Sequence, residues 1–267
     1  MDENIRKLIQ RTPAGIPLLD LHVHLKGGLT LEQTLNRARR DGMVYGIAVN
    51  CGRGFPVQDD AAALAFSTGM QGHPVFVGMQ AEGREWTSVI SAHAAGEFDY
   101  IFTDAMTWTD DNGRRMRLWI PEEVGAIPDP QSFMYTLVAR TVAILESEPI
   151  DIFANPTFLP AVLAADYDSL WTSERMELVT AAAARNNVAI ELNDRYRLPS
   201  KRFIEIAKAA KCTFTLGTNN SGPGDLGRCE YGLRIAAECG LGADDFFIPG
   251  ASGSKAAARK SEAFLNP

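Results

Sequence analysis

A repeated alternation of strand and helix patterns limits the fold of this chain more than any other feature. Seven short apolar segments read as strands: Leu18–Leu25, Val44–Asn50, Val75–Glu82, Asp99–Asp104, Ile150–Asn155, Asn187–Asn193 and Thr213–Asn219. Helical patterns lie between them. Thr30-Leu-Glu-Gln33 is a capping box that opens a helix running to about Asp41. An Ala-rich segment spans Asp60 to Met70, and Gln131–Ser147 follows the start signal Pro128-Asp-Pro130. Ser173–Arg185, Ser200–Lys211 and Gly227–Cys239 complete the set. Strands separated by helices pair in parallel through crossovers, and seven such units predict a closed α/β barrel rather than an open sheet. The expectation is a single distorted, TIM-like (β/α)7 barrel over residues 1–267, with its core at about 18–250.

The run Leu18-Leu-Asp20-Leu-His22-Val-His24-Leu-Lys26 concentrates chemistry at the end of the first strand. Alternation along a strand places Asp20, His22 and His24 on one face and Leu21, Val23 and Leu25 on the other. Choosing each register by its apolar face, the second strand turns Gly46, Ala48 and Asn50 inward. The third turns Phe76, Gly78, Gln80 and Glu82 inward, the fifth Asp151, Phe153 and Asn155, and the sixth Ala189, Glu191 and Asn193. The last inward residues then read His24, Asn50, Glu82, Asp104, Asn155, Asn193 and Asn219. All are polar and all fall at the C-terminal strand ends, where barrels carry their catalytic groups. Asn is also a common turn former, which accounts for part of this row.

Formal net charge is -7. This argues against nucleic acid or an anionic membrane as the main partner. No apolar run approaches the roughly 18 residues of a membrane span. Cys51, Cys212, Cys229 and Cys239 show no C-x-x-C spacing, and the N-terminus has no apolar signal core. A reduced, cytoplasmic protein is expected, its thiols buried in the core.

Several of these strands resemble motifs of the polymerase and histidinol phosphatase (PHP) family of metal-dependent phosphoesterases. Asp20-Leu-His22-Val-His24 resembles the family's Asp-x-His-x-His, and Gly78-Met-Gln-Ala-Glu82 its Gly-x-Glu strand, whose Glu bridges metals. Asp151-Ile-Phe-Ala-Asn155-Pro156 is similar to Asp-x-x-x-His-Pro, Ala189-Ile-Glu191-Leu-Asn193 to Glu-x-Asn, and Leu216-Gly-Thr-Asn219-Asn220-Ser221 to Gly-Ser-Asp-x-His. The resemblance covers roughly residues 18 to 245 and implies a seven-stranded PHP-type barrel. It also implies divalent metal held by His22, His24, Glu82, Asp104, Asn155 and Asn219. The departures are as specific: of the family's ligands only His22, His24 and Glu82 stand unchanged. Cys51 replaces a His, Asn155 a His, and Asn219 and Ser221 an Asp and a His. Fewer anionic ligands imply one ion, Zn, Mn or Fe, rather than three. The opening motif, with His93-Ala-Ala-Gly-Glu97, also resembles adenosine deaminase-like amidohydrolases; no His follows His93 to complete that site.

The resulting expectation is a hydrolase of phosphoesterase type acting on a small anionic substrate. Glu82 and Asp104 would take the acid–base roles, while Lys26, Arg195, Asn193 and Arg197 would bind the substrate. Alternatives are a catalytically inactive barrel that binds a small molecule or protein and, least favoured by charge, a nucleic-acid-associated barrel. Arg53 and Arg228 follow strand ends too. The long loop from Asp104 to Pro130 is expected to be a lid or a homo-oligomer contact. His73 and His93 read as structural, and Gly250-Ala-Ser-Gly-Ser254 as an ordinary loop.

Overall fold

The computed structural model describes residues 3–109, 114–251 and 255–264. Positions 110–113 of the expected lid and 252–254 of the expected C-terminal loop lie outside these residues. Seven parallel strands close into a barrel: β1 (Leu19–Val23), β2 (Val44–Cys51), β3 (Phe76–Ala81), β4 (Tyr100–Thr103), β7 (Ile152–Phe153), β8 (Ala189–Asn193) and β9 (Phe214–Gly217). The remaining two, β5 (Thr107–Thr109) and β6 (Arg115–Arg117), form an antiparallel hairpin after β4. Helices Leu31–Asp41, Asp60–Met70, Pro130–Ser147, Ser173–Arg185, Lys201–Ala209 and Glu230–Glu238 stand where the sequence patterns place them. The Thr30 capping box is present, with Thr30 Oγ1 accepting from Gln33 N and Gln33 Oε1 accepting from Thr30 N. Among the described residues no helix is long and apolar enough to cross a membrane.

Two apolar layers separate the inside of the barrel from its outside. Leu19, Leu21, Val44, Ala48, Phe76, Tyr100, Phe102, Ile152, Ala154 and Ala189 fill the lumen, and Ile5, Phe247 and Ile248 pack against its floor. Val23, Tyr45, Val77, Met79, Ile101, Phe153, Ile190, Leu192, Phe214 and Leu216 join the layer shared with the helices. Tyr100 is the largest lumen residue. A Cβ at Gly46 or Gly78 would lie 2.3 or 2.4 Å from its phenol, so glycine at both positions makes room for the ring.

Two inward faces differ from the alternation read in the sequence. In β1 the pairing with β2 slips, Asp20 opposing Tyr45 while Val23 opposes Ile47. One extra residue is accommodated there, as in a β-bulge. Leu21 and His22 therefore both point inward, and Asp20 lies on the opposite side from the histidines. In β7 the alternation is reversed: Ile152 and Ala154 enter the lumen and Phe153 packs outside. The apolar criterion fails here because both faces of this strand are buried.

Candidate active site

The bulge turns both imidazoles into the barrel, His24 at the mouth and His22 beneath it. It also frees the Leu21 carbonyl, which accepts from Tyr100 Oη at 2.8 Å. Asp20 holds the seam where the barrel closes. Its Oδ1 accepts from the backbone N–H groups of His22 (3.1 Å) and Thr218 (3.0 Å), and its Oδ2 accepts from the Thr218 hydroxyl. Asn220, fully buried, fixes the next turn: its Oδ1 accepts from His24 N and its Nδ2 donates to His24 O, at 2.8 and 3.0 Å. These contacts fix the backbone of the His-Val-His run independently of any ligand.

Each histidine is held through Nδ1. His22 Nδ1 lies 2.5 Å from Glu191 Oε1, with both side chains buried, and its ring packs 4.6 Å from Phe102 between centroids. His24 Nδ1 donates to Ala48 O at 3.0 Å, and Gln80 is a further hydrogen-bond partner of its side chain. Burial first, then the neighbouring His22 and Lys26, push the His24 pKa well below its ordinary value, so the ring is neutral. Glu191 continues the network. Its Oε2 accepts from Asn155 N (2.7 Å) and Asn193 Nδ2 (2.9 Å). Asn155 Oδ1 accepts from Asn193 Nδ2 and Asn219 Nδ2, and Asn155 Nδ2 donates to Asp104 Oδ2 at 2.8 Å. Asn155 and Asn219 both adopt left-handed backbone, φ 46° and 48°, a region Asn tolerates better than most residues.

Above this network a cavity of about 220 Å³ opens at the C-terminal strand ends, lined by His24, Lys26, Asn50, Gln80, Glu82, Asp104, Met106, Trp119, Asn155, Arg195, Tyr196 and Asn219. Cations and carboxyls share its lining. Lys26 and Arg195 carry positive charge at the rim; burial, then repulsion from Arg195, lowers the Lys26 pKa from its ordinary value. Arg195 is fixed by donating to Asn219 O at 3.3 Å and lies over the Tyr196 ring. Glu82 and Asp104 are the acidic members. Burial, then the negative charge of Asp104, raises the Glu82 pKa to about 7, against the hydrogen bond from Asn50 Nδ2 at 2.8 Å. Burial also raises Asp104, against hydrogen bonds from Met106 N and the Asn155 side chain. Two carboxyls so disposed hold a proton near neutral pH.

The expected site residues fall into two groups. His24, Glu82, Asp104, Asn155, Asn219, Lys26 and Arg195 line this one cavity. His22 lies beneath it, against Glu191. Asn193 is fully buried and engaged with Asn155, Glu191 and Tyr196 N, so it shapes the wall instead of facing a substrate. Arg197 opens on a separate pocket with Asp194, Asp225 and Arg228. Cys51 packs in the outer apolar layer, its thiol pushed up to about 12 by burial. His73 and His93 stand away from the mouth, His93 on the short outer helix Ala92–Gly96. Trp119, Tyr196, Gln80 and Met106 were not among the expected site residues. Gln80 lay on the inward face already read for β3, whereas Trp119 comes from a loop with no periodic signal.

The donors present do not fit a metal ion. Among the described residues no three His, Cys, Asp or Glu side chains form a group that could hold one. Glu82 is turned to Asn50, Asp104 to Asn155, and the remaining corners are amides bonded to each other. The single Zn, Mn or Fe ion expected on His22, His24, Glu82 and Asp104, with Asn155 and Asn219, would require these side chains to exchange their present hydrogen-bond partners for the ion.

Comparison with solved structures finds the fold. Histidinol phosphate phosphatase from Lactococcus lactis, in complex with zinc, L-histidinol and phosphate, is similar over 90% of this chain and 97% of its own, with a TM-score of 0.57 and 11% sequence identity. An archaeal ribonuclease P determined with mature tRNA also aligns, over 92% of this chain and 88% of that one, with a TM-score of 0.43 and 12% identity. No protein-family model and no curated protein matches the sequence. At such identity the likeness establishes a shared barrel architecture, the PHP-like fold of the phosphatase, and function rests on the site.

Proposed function

We propose that this barrel hydrolyses small anionic esters at its mouth, with Glu82 and Asp104 as the acid–base pair and Lys26 and Arg195 as the anion-binding groups. One observation carries the reading: the carboxyls of Glu82 and Asp104 share a small cavity with the cations Lys26 and Arg195, and burial raises both. A volume of about 220 Å³ suits a substrate smaller than the usual 300–1,000 Å³ ligand pocket admits. In the reaction, Asp104 takes a proton from water as its oxygen attacks the ester centre. The bond to the leaving oxygen breaks, and protonated Glu82 donates its proton to that oxygen. Lys26 and Arg195 offset the charge of the anionic group. The phosphatase of like fold holds L-histidinol and phosphate, which makes phosphate monoesters the first esters to test.

The test is a panel of phosphate monoesters and carboxylic esters offered to wild type and to Glu82→Gln, Asp104→Asn and Lys26→Ala. Each carboxyl variant is expected to lower kcat by about 10²-fold or more, the usual contribution of a positioned acid or base. Lys26→Ala is expected to raise KM more than it lowers kcat. Turnover of no ester by wild type, or wild-type kcat in both carboxyl variants, would refute the reading. A barrel that binds a small anion without turnover is the second reading. It is favoured by the mutual hydrogen bonds of Asn155, Asn193 and Asn219, which stiffen the wall but supply no nucleophile.

A further inference from the structure

A second pocket, of about 550 Å³, adjoins the reaction cavity and shares Glu82 with it. It lies between the loop after β2 and the β5–β6 hairpin, and four arginines line it: Arg53, Arg84, Arg115 and Arg140, against the two acids Glu82 and Glu85. Arg84 is balanced by Glu148, 2.6 Å away. Among the described residues Arg53, Arg115 and Arg140 lie within ion-pair distance of no carboxylate. On a chain of net charge -7 this gathering of uncompensated guanidinium groups runs against the overall balance. Ordinary surface arginines find carboxylates or wave in water; two of these instead lie over aromatic rings. Arg115 stacks over Phe55 at 5.3 Å, and Arg140 stacks over Trp108 at 5.0 Å while donating to Thr109 O. Stacked guanidinium groups keep their hydrogen-bonding edges available to a planar or tetrahedral anion.

The pocket is tied to the reaction cavity through the backbone. Glu82 N donates to Cys51 O at 2.7 Å, and Gly52 N donates to Val57 O at 2.9 Å, closing the loop that carries Arg53 and Phe55. Gly52 has φ 156°, and a Cβ there would stand 2.2 Å from Glu82 O. The close approach that places these side chains beside Glu82 thus depends on glycine. Arg115 and Arg84 also act electrostatically on the Glu82 carboxyl.

We infer that this arginine pocket is a second anion subsite, and that the ligand of the mouth is a small molecule with two anionic groups. One group would rest at Lys26 and Arg195 and the other, a phosphate or carboxylate, among Arg53, Arg115 and Arg140. The inference rests on the proposed reading of the mouth for its first anchor, so its test separates the two. Calorimetric titration of wild type with linear α,ω-alkanediol bisphosphates of three to six carbons, and with the matching monophosphates, measures the second anchor directly. At least one bisphosphate is expected to bind about tenfold or more tighter than its monophosphate. Arg53→Ala/Arg115→Ala is expected to abolish that advantage while leaving monophosphate affinity within about twofold of wild type. Arg53→Gln/Arg115→Gln, which keeps most of the side-chain bulk, is expected to do the same. Lys26→Ala/Arg195→Ala is expected to weaken both ligands, which reports on the mouth alone. Equal affinity for bisphosphate and monophosphate, or an advantage that survives both arginine variants, overturns the inference even where the mouth still binds the monophosphate.

Discussion

Single residues in this barrel carry unequal weight, and Glu82 and Tyr100 show two kinds. The Glu82 carboxyl has an ordinary value of 4.5 and stands at about 7 in the fold, raised by burial and by Asp104. A carboxyl raised on folding binds its proton more tightly in the native state. Its contribution to stability is therefore complete below about 4.5 and is lost as pH rises through about 7. Chemical unfolding of wild type and Glu82→Gln from pH 4 to 8 is expected to show the variant gaining on wild type across that window and levelling off above it. A pH-independent difference would contradict the assignment. Tyr100 acts by satisfaction rather than by charge. Its hydroxyl is the partner of the Leu21 carbonyl at the bulge, both deep in the lumen. Tyr100→Phe leaves that carbonyl without its partner and is expected to cost about 2 kcal/mol, read as a lower denaturant midpoint.

Among elements, the seam between β1 and β9 has the fewest registered backbone pairs and is reinforced by side chains. One pair of residues, Asp20 with Leu216, registers the two strands. The Asp20 carboxylate adds three acceptor contacts to His22 and Thr218. Asp20→Ala leaves buried N–H and O–H donors unpaired at the closure of the barrel, and about 3 kcal/mol of destabilisation is expected. Thr30→Ala, which removes the hydroxyl of a capping box on the exposed side, is expected to cost only about 1 kcal/mol. Equal losses in the two variants, measured by urea unfolding, would show that Asp20 is not the staple the geometry makes it. The same elements explain what the sequence could and could not reveal. Helix limits were legible because Thr30, Asp59, Ser200 and Thr172 are side-chain caps. Strand existence was legible from apolar runs, and β2, β3 and β8 from their alternation as well. The β1 bulge was not, because an inserted residue leaves composition unchanged and shows only in pairing. Nor was the inverted face of β7, where apolar residues cover both sides.

For the whole molecule, a barrel of PHP-like architecture presents a mouth in which the groups expected to ligate metal are each hydrogen-bonded within the protein. His22 and Glu191 form a buried pair, and Asn155 joins Asp104, Asn193 and Asn219. That the polar residues at the strand ends gather at one mouth was legible in the sequence, since a parallel barrel brings its C-terminal strand ends together. Its internal wiring was not. Which amide meets which carboxyl depends on left-handed turns at Asn155 and Asn219 and on the position of Glu191, and these are properties of the assembled barrel. That Arg195 lines both the mouth cavity and its neighbour while Arg197 lines only the neighbour likewise follows from the path of one loop. The most direct measurement is ester hydrolysis by wild type after exhaustive chelation, with metal content determined on the same sample. The expected result is turnover unchanged by removal of metal and lost in Glu82→Gln. Activity that vanishes with a stoichiometric ion and returns on adding zinc or manganese would contradict it.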